Sequence, residues 1–116
     1  MFIEQYQTTA PDTWRFFAGV AAPSGIATDS IWSIWTAKWN GATTEIWKSG
    51  ISQFSGNTGT NNPAGLTIGA RAGGIFHWVG DISEILIYDP NLSTADMNQV
   101  AQYIAAKTAI VYTPIV

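Results

Sequence analysis

Few side chains in this 116-residue sequence could carry out nucleophilic or acid–base chemistry. Nucleophilic catalysis needs a serine, threonine or cysteine beside a base that a third group orients. The chain has one histidine, His77, and no cysteine. His77 stands between Phe76 and Trp78 in an apolar run, with no motif around it. This setting favours a packed or surface histidine over a catalytic base.

The acidic residues do not form a catalytic pair either. Glycoside hydrolysis requires two carboxylates about 5–9 Å apart on one face of a cleft. Asp81 and Glu84 are three positions apart, so an extended strand directs them to opposite faces. No acidic residue in the chain has a second one two positions later. The sequence therefore predicts a protein that is not an enzyme.

Two interpretations are open for the acidic residues of the second half. Glu84 lies in an apolar run, where a buried carboxylate would accept hydrogen bonds from backbone N–H groups or a tryptophan indole. Calcium binding is the rival interpretation. Asp81, Asp89 and Asn91, with nearby carbonyls, would supply some of the about six to eight oxygens that Ca²⁺ requires. These residues match no known calcium loop, so we expect no cofactor and keep calcium as the alternative.

Six tryptophans stand out among the aromatic residues. Four of them follow strand spacing and are predicted to be core and cross-strand partners: Trp32, Trp35, Trp39 and Trp47. Trp14 and Trp78 are predicted to be the most accessible at the surface, where an aromatic face can stack on a sugar ring. The amides of Asn57, Asn61 and Asn62 would bind the sugar hydroxyl groups. These five residues are the candidate surface for a partner or a glycan.

Strand patterns dominate the first three-quarters of the chain. Turn residues bound short runs of β-branched and aromatic residues. The predicted strands are residues 14–20, 31–39, 43–48, 66–70, 75–79 and 82–88, and the last is the best candidate. Asn40-Gly41 predicts a hairpin turn between the second and the third of these strands. The polar, glycine-rich stretch 55–65 is predicted to be an exposed loop.

One helix and an apolar tail are predicted near the C-terminal end of the sequence. Ser93 is the predicted N-cap, and Asp96 completes a capping-box-like pair. Helix-spaced apolar residues extend the helix over about residues 94–107. Residues 108–116 form an extended apolar tail, which we expect to be docked on this domain or on a neighbour because a free one would promote aggregation. The candidate docking residues are Val111, Tyr112, Ile115 and Val116.

The composition argues against several classes of partner. Charged residues make up 11% of the chain, the net charge is −3, and the five basic residues are scattered. Nucleic-acid binding relies on clustered lysine and arginine, so we expect no nucleic-acid partner. No apolar run approaches the roughly 20 residues that span a bilayer, and the first residues do not resemble a secretory signal. We therefore expect no membrane insertion and no signal peptide in this chain.

The second half of the chain resembles a known family. Leu66–Arg71, Phe76, Gly80–Tyr88 and Leu92-Ser93, followed by the helix, resemble the C-terminal end of concanavalin A-like and laminin-G-like jelly rolls. The resemblance covers roughly residues 31–110. It implies a mostly β fold, an antiparallel jelly-roll-like β-sandwich with one short C-terminal helix. The chain is shorter than complete family members, and their N-terminal strands have no counterpart in it.

The composition and the resemblance together predict a single sandwich domain over residues 1–116. The resemblance implies function only as a class, recognition or assembly. Low charge and apolar extended segments favour a non-catalytic structural protein at a virion surface, of the bacteriophage decoration or tail type. Such a protein would form a homo-oligomer, with cyclic trimers as one option, or bind a capsid or tail surface. The alternative is a lectin-like carbohydrate-binding module at an extracellular or cell surface.

Overall fold

The computed structural model describes residues 2–6, 13–20, 26–61, 67–70 and 77–116. In this part of the chain the elements are β1 (Phe2–Tyr6), β2 (Thr13–Phe17), β3 (Trp35–Lys38), β4 (Thr44–Lys48), β5 (Ile51–Gly56) and α1 (Thr94–Thr108). β1 pairs with β2, and β4 lies between β3 and β5 in a second sheet. All these pairings are antiparallel. The predicted class of antiparallel β-structure with one C-terminal helix is confirmed.

Short turns join the strands of the three-stranded sheet. The predicted hairpin after β3 is confirmed, and it turns through Asn40 and a 3₁₀ turn, Gly41–Thr43. β4 and β5 are joined by Ser49 and Gly50, whose φ angles are 48° and 84°. Two successive residues with positive φ are typical of the type I′ turn, which matches the twist of a two-stranded hairpin. The second turn therefore directs β5 straight back along β4.

β4 is buried on both of its faces. Successive residues of a strand point to opposite faces, and β4 places Ile46 in one apolar cluster and Trp47 in another. Ile46 packs with Trp14 and Phe16 of β2. Trp35 of β3 lies against the same cluster, with its ring centroid 4.8 Å from that of Trp14 and 5.6 Å from that of Phe16. β2 therefore packs on one face of the three-stranded sheet.

Helix α1 packs on the opposite face of this sheet. The Ser93 hydroxyl accepts a hydrogen bond from the Asp96 backbone N–H at 3.2 Å and donates one to the Asp96 carboxylate at 2.6 Å. Met97 packs on Trp47, and Leu92 just before the cap lies against the same cluster. The predicted N-cap is confirmed. The helix ends at Thr108, one residue beyond its predicted end.

The C-terminal tail docks on the chain's own sheet and helix. The Asn98 side chain binds the tail backbone at two points, because its Nδ2 donates to Ile115 O at 2.9 Å and its Oδ1 accepts from Ile115 N at 2.8 Å. The Tyr112 hydroxyl donates to Asn98 Oδ1 at 2.7 Å. Thr113 N donates to Ser49 O in the β4–β5 turn. The predicted docking of the tail is confirmed, and its target is this domain.

Asn98→Ala is expected to release the tail. The N–H and C=O groups of Ile115 would lose their partner, and leaving a buried polar group unpaired costs about 1–3 kcal/mol. Hydrogen exchange at the Ile115 amide should lose its protection. Gln99→Ala is the matched control, because Gln99 is the next residue of the same helix and is exposed. Equal protection of the Ile115 amide in the two variants would contradict this role of Asn98.

Several predicted strands differ from the structure. β1 and β5 were not predicted, and the last two residues of β5 fall at the start of the predicted loop. Residues 67–70, 77–79 and 82–88 belong to no helix or strand, so the strands predicted there are wrong for these residues. A strand requires a neighbour for its N–H and C=O groups, and no described residue is hydrogen-bonded to the backbone of residues 82–88. Residues 62–65 of the predicted loop, and residues 66, 75 and 76 of the predicted strands, lie outside the described residues.

In the part of the chain that the structure describes, no helix combines the length and the apolar character needed to cross a membrane. Helix α1, Thr94–Thr108, has 15 residues, whereas spanning requires about 20.

Candidate interaction surface

The segment Ile82–Tyr88, hereafter the apolar strip, carries an exposed row of large side chains. The exposed residues are Ile82, Ile85, Leu86, Ile87 and Tyr88. Within the described residues, the backbone of this segment forms no hydrogen bond. Backbone N–H and C=O groups that lack a partner in an apolar segment are a template for pairing with another strand. The apolar strip therefore has the chemistry of a docking edge.

One side of the apolar strip faces helix α1. An open groove of about 370 Å³ is lined by Glu84, Leu86, Tyr88, Gln99, Val100 and Tyr103. The strip residues in this lining alternate, as in an extended chain. The Glu84 carboxylate accepts a hydrogen bond from Lys107 Nζ at 3.2 Å, and this contact raises the pKa of Lys107 above its usual value. Glu84 is thus half-buried and paired with a lysine. The predicted partners of its carboxylate, a backbone N–H or an indole, were wrong.

A second apolar surface surrounds Trp32. An open groove of about 890 Å³, hereafter the Trp32 groove, includes residues from β5 and from the segment after α1. Its exposed apolar residues are Ile31, Trp32, Ile51 and Val111, and its polar lining includes Ser33, Lys48, Ser49 and Gln53. Lys48 also donates a hydrogen bond to Asp29, which lowers the pKa of the Asp29 carboxyl. This groove therefore combines an exposed indole with a few polar groups.

The residues predicted for a glycan surface have different environments. Trp14 is buried in the cluster of Ile46, so its predicted accessibility is wrong. Its indole N–H is buried and has no hydrogen-bond partner among the described residues. Trp78 is half-buried, with its ring centroid 5.2 Å from that of Trp14. Asn57 and Asn61 are exposed, and Asn62 lies outside the described residues.

Trp32 has the exposure that was predicted for Trp14. The sequence pattern assigned Trp32 to the core, and this assignment is wrong. The reason is that β3 begins only at Trp35, so Trp32 precedes the paired part of the predicted strand. Trp35 and Trp47 are packed in the two clusters as predicted. The structure thus adds Trp32 as a candidate contact residue that the sequence analysis missed.

The predicted docking residues of the tail divide into two pairs. Tyr112 and Ile115 contact the rest of the chain, whereas Val111 and Val116 are exposed. Burial raises the pKa of the Tyr112 hydroxyl, which favours the protonated form that donates to Asn98. Val111 belongs to the Trp32 groove. The tail therefore uses one pair for docking and presents the other to solvent.

The residues considered for catalysis or for calcium lie at the surface. His77, Asp81 and Asp89 are exposed. Asn91 donates a hydrogen bond from its side chain to Trp39 O at 2.9 Å. Within the described part of the chain, no group of three or more histidine, aspartate or glutamate side chains is placed to hold a metal ion.

The described elements define a small antiparallel β protein with one C-terminal helix. Comparison of the chain with protein families, with characterised proteins and with solved structures finds no match. In the described part of the chain, the two candidate interaction surfaces are the apolar strip and the Trp32 groove.

Proposed function

We propose that this chain is a non-catalytic assembly subunit that associates with copies of itself through the apolar strip. The observation that carries the proposal is the exposure of five large apolar side chains on a segment without backbone hydrogen bonds in the described structure. Full burial of one such side chain stabilises a protein by about 1.5–3 kcal/mol. Contact between chains would cover these side chains and pair the backbone groups beside them.

The proposed setting is a virion surface, with the chain as a decoration or tail protein of a bacteriophage. Support comes from the low charge, the absence of cysteine and the tryptophan-rich composition. The proposed fold is a concanavalin-like or laminin-G-like sandwich. It is supported by the packing of Trp14 and Phe16 across the sheet onto Ile46, and by the resemblance of residues 66–93. The proposal requires no cofactor.

Ile87→Lys is expected to weaken self-association at least about tenfold, which corresponds to about 1.4 kcal/mol. Ile87 is 68% exposed, so the substitution should change the free energy of unfolding by no more than about 0.5 kcal/mol. A lysine on an edge opposes the addition of another strand. Sedimentation velocity at several concentrations gives the dissociation constant.

Val79→Lys is the matched control for Ile87→Lys. Val79 is 70% exposed and precedes the apolar strip, so the two substitutions differ in place and not in exposure. The control should associate as the wild type does. If the two variants have the same dissociation constant, the apolar strip does not carry the assembly.

A carbohydrate-binding module is the second candidate, and the exposed Trp32 favours it. An indole face with a few nearby polar groups is typical of sugar sites, and Ser33 and Gln53 line the same groove. In this carbohydrate-binding proposal, Trp32 takes the stacking role that the sequence analysis assigned to Trp14. Trp32→Ala would abolish binding on a glycan array and leave the mass in solution unchanged. The assembly proposal expects the wild type to bind no glycan on that array.

A further inference from the structure

The docked C-terminal tail makes its contacts beyond a short hinge, residues 109–111. The Val111 side chain in this hinge is 86% exposed. The tail binds the rest of the chain through Tyr112, Thr113 and Ile115. The contacts that hold the tail therefore lie beyond the hinge that joins it to helix α1.

The site that receives the tail, hereafter the tail site, consists of Trp47, Ser49, Met97 and Asn98. Trp47 and Met97 form an apolar cluster with Ile115. Ser49 O and the Asn98 side chain supply the hydrogen bonds to the tail. These residues belong to β4, to the β4–β5 turn and to α1, and none of them belongs to the hinge. A tail of the same sequence from a second copy would therefore make each of these contacts.

The hinge begins at an alanine in an unfavourable backbone conformation. Ala109 has φ 57° and ψ 24°, in the left-handed region. Glycine is the usual residue in this conformation at the end of a helix, because a Cβ atom makes it costly. The turn at Ala109 brings the tail back along α1, so that Ile115 reaches Asn98. Docking of the tail on its own chain therefore stores strain, which an opened hinge would release.

We propose that the tail exchanges between two copies, each of which places its tail on the tail site of the other. The inference goes beyond the proposed assembly function, because this contact uses the tail site and not the apolar strip. Exchange of an identical element is a low-cost route to a dimer, and a short strained hinge favours it. The occupant follows from the structure, in which a tail of this sequence is seated on the site.

Concentration decides whether a tail site holds its own tail or that of a second copy. A short linker keeps a tethered segment at an effective concentration of about a millimolar. The closed tail therefore prevails in dilute solution, and relief of strain at Ala109 shifts the balance toward exchange where copies are crowded. The tests are made in the Ile87→Lys variant, hereafter the parent, so that the apolar strip does not contribute.

Ala109→Val in the parent should promote exchange. A β-branched residue is strongly disfavoured at positive φ, and Ala109 is exposed, so no core contact is lost. Sedimentation velocity should show a dimer whose dissociation constant is at least about tenfold below that of the parent. The Ile115 amide should keep its protection from hydrogen exchange, because the tail is docked on the partner.

Ala109→Gly is the matched control for Ala109→Val. Glycine adopts positive φ without strain, so this variant should dimerise no more tightly than the parent. Asn98→Ala added to Ala109→Val is the second control. It removes the side chain that binds the tail at three points, and it should separate the dimer.

A mixture of two further variants of the parent tests exchange with the natural hinge. Asn98→Ala keeps its tail and loses a working tail site. Ile115→Asp keeps its tail site, and its tail cannot dock because a charge would enter the apolar cluster. The first variant carries an isotope label, and exchange of its Ile115 amide is followed. Adding about a millimolar of unlabelled Ile115→Asp should slow this exchange about tenfold or more. The same amount of unlabelled Asn98→Ala should leave it unchanged.

The outcomes separate tail exchange from the proposed function. A dimeric Ala109→Val with a protected Ile115 amide supports the inference, as does restored protection in the mixture. A monomeric Ala109→Val, a dimer that Asn98→Ala does not separate, or a mixture without restored protection overturns it. The mixture decides if Ala109→Val does not fold or if the two experiments disagree. The proposed function fails by a different result, equal dissociation constants for Ile87→Lys and Val79→Lys.

Discussion

Trp47→Ala is expected to lower the free energy of unfolding by about 3–5 kcal/mol, as large-to-small substitutions in cores do. Trp47 is 6% exposed. Its cluster joins β4 to helix α1 through Met97 and to the tail through Ile115. The cavity left by the indole would therefore weaken three parts of the fold at once. Since domains are stable by only about 5–15 kcal/mol, urea unfolding followed by circular dichroism should show a much lower midpoint.

Trp32→Ala is the matched control for Trp47→Ala. It removes the same side chain from a position that is 55% exposed, and exposed substitutions change stability by no more than about 0.5 kcal/mol. The two variants are compared in dilute solution, so that contact between chains does not contribute. Similar losses of stability in the two variants would mean that the cluster around Trp47 does not hold α1 and the tail on the sheet.

Gly50→Ala is expected to have the second large effect, because Gly50 meets two constraints at once. Its φ angle is 84°, a left-handed conformation that costs an alanine about 1–2 kcal/mol. A Cβ atom at this position would also lie 1.5 Å from Thr113 O. The tail must then shift, and forced repacking of this kind costs about 1–3 kcal/mol more. Hydrogen exchange should show that Thr113 N loses its protection by Ser49 O.

Gly69→Ala is the matched control for Gly50→Ala, because it carries the cost of the left-handed backbone without the steric clash. Gly69 has a similar φ angle, 77°, but a Cβ atom there has no neighbour within 4 Å among the described residues. The Gly69→Ala variant should lose only about 1–2 kcal/mol of the free energy of unfolding. Hydrogen exchange of the tail amides should be unchanged. If both variants lose the same stability and neither alters the tail, the tail does not cross the β4–β5 turn as described.

The helix and its cap were predictable because their signals are local. Ser93 and Asp96 lie within four consecutive residues, and the structure forms both hydrogen bonds between them. The same holds for the first hairpin, where Asn40-Gly41 marks the turn. A capping or turn motif specifies its own geometry, so no distant part of the chain is needed to interpret it.

The strands were harder to predict, because a strand depends on a neighbouring strand that its own sequence does not identify. Ile51–Gly56 mixes isoleucine and phenylalanine with serine and glutamine, and it becomes β5 because the I′ turn lays it along β4. The apolar strip has the stronger strand pattern, and no described neighbour pairs with it. The pattern of apolar residues predicts an extended chain and not which chain lies beside it.

The candidate site was mispredicted for a related reason. Spacing indicates which residues share a face of a strand, and it does not indicate whether that face is covered. Trp14 was expected at the surface and is buried by Ile46 and Trp35, which are distant in sequence. Trp32 was expected in the core and is exposed, because pairing of β3 starts three residues later. Coverage is a tertiary property, so it required the structure.

The central claim is that this chain assembles with copies of itself, and the mass in solution tests it most directly. Light scattering after size-exclusion chromatography, repeated over a wide range of concentrations, measures that mass without a label. We predict a mass that is a multiple of the 12.5 kDa of one chain at high concentration, with dissociation on dilution and a shift to the single-chain mass for Ile87→Lys. A wild-type mass of 12.5 kDa at every concentration would contradict the claim.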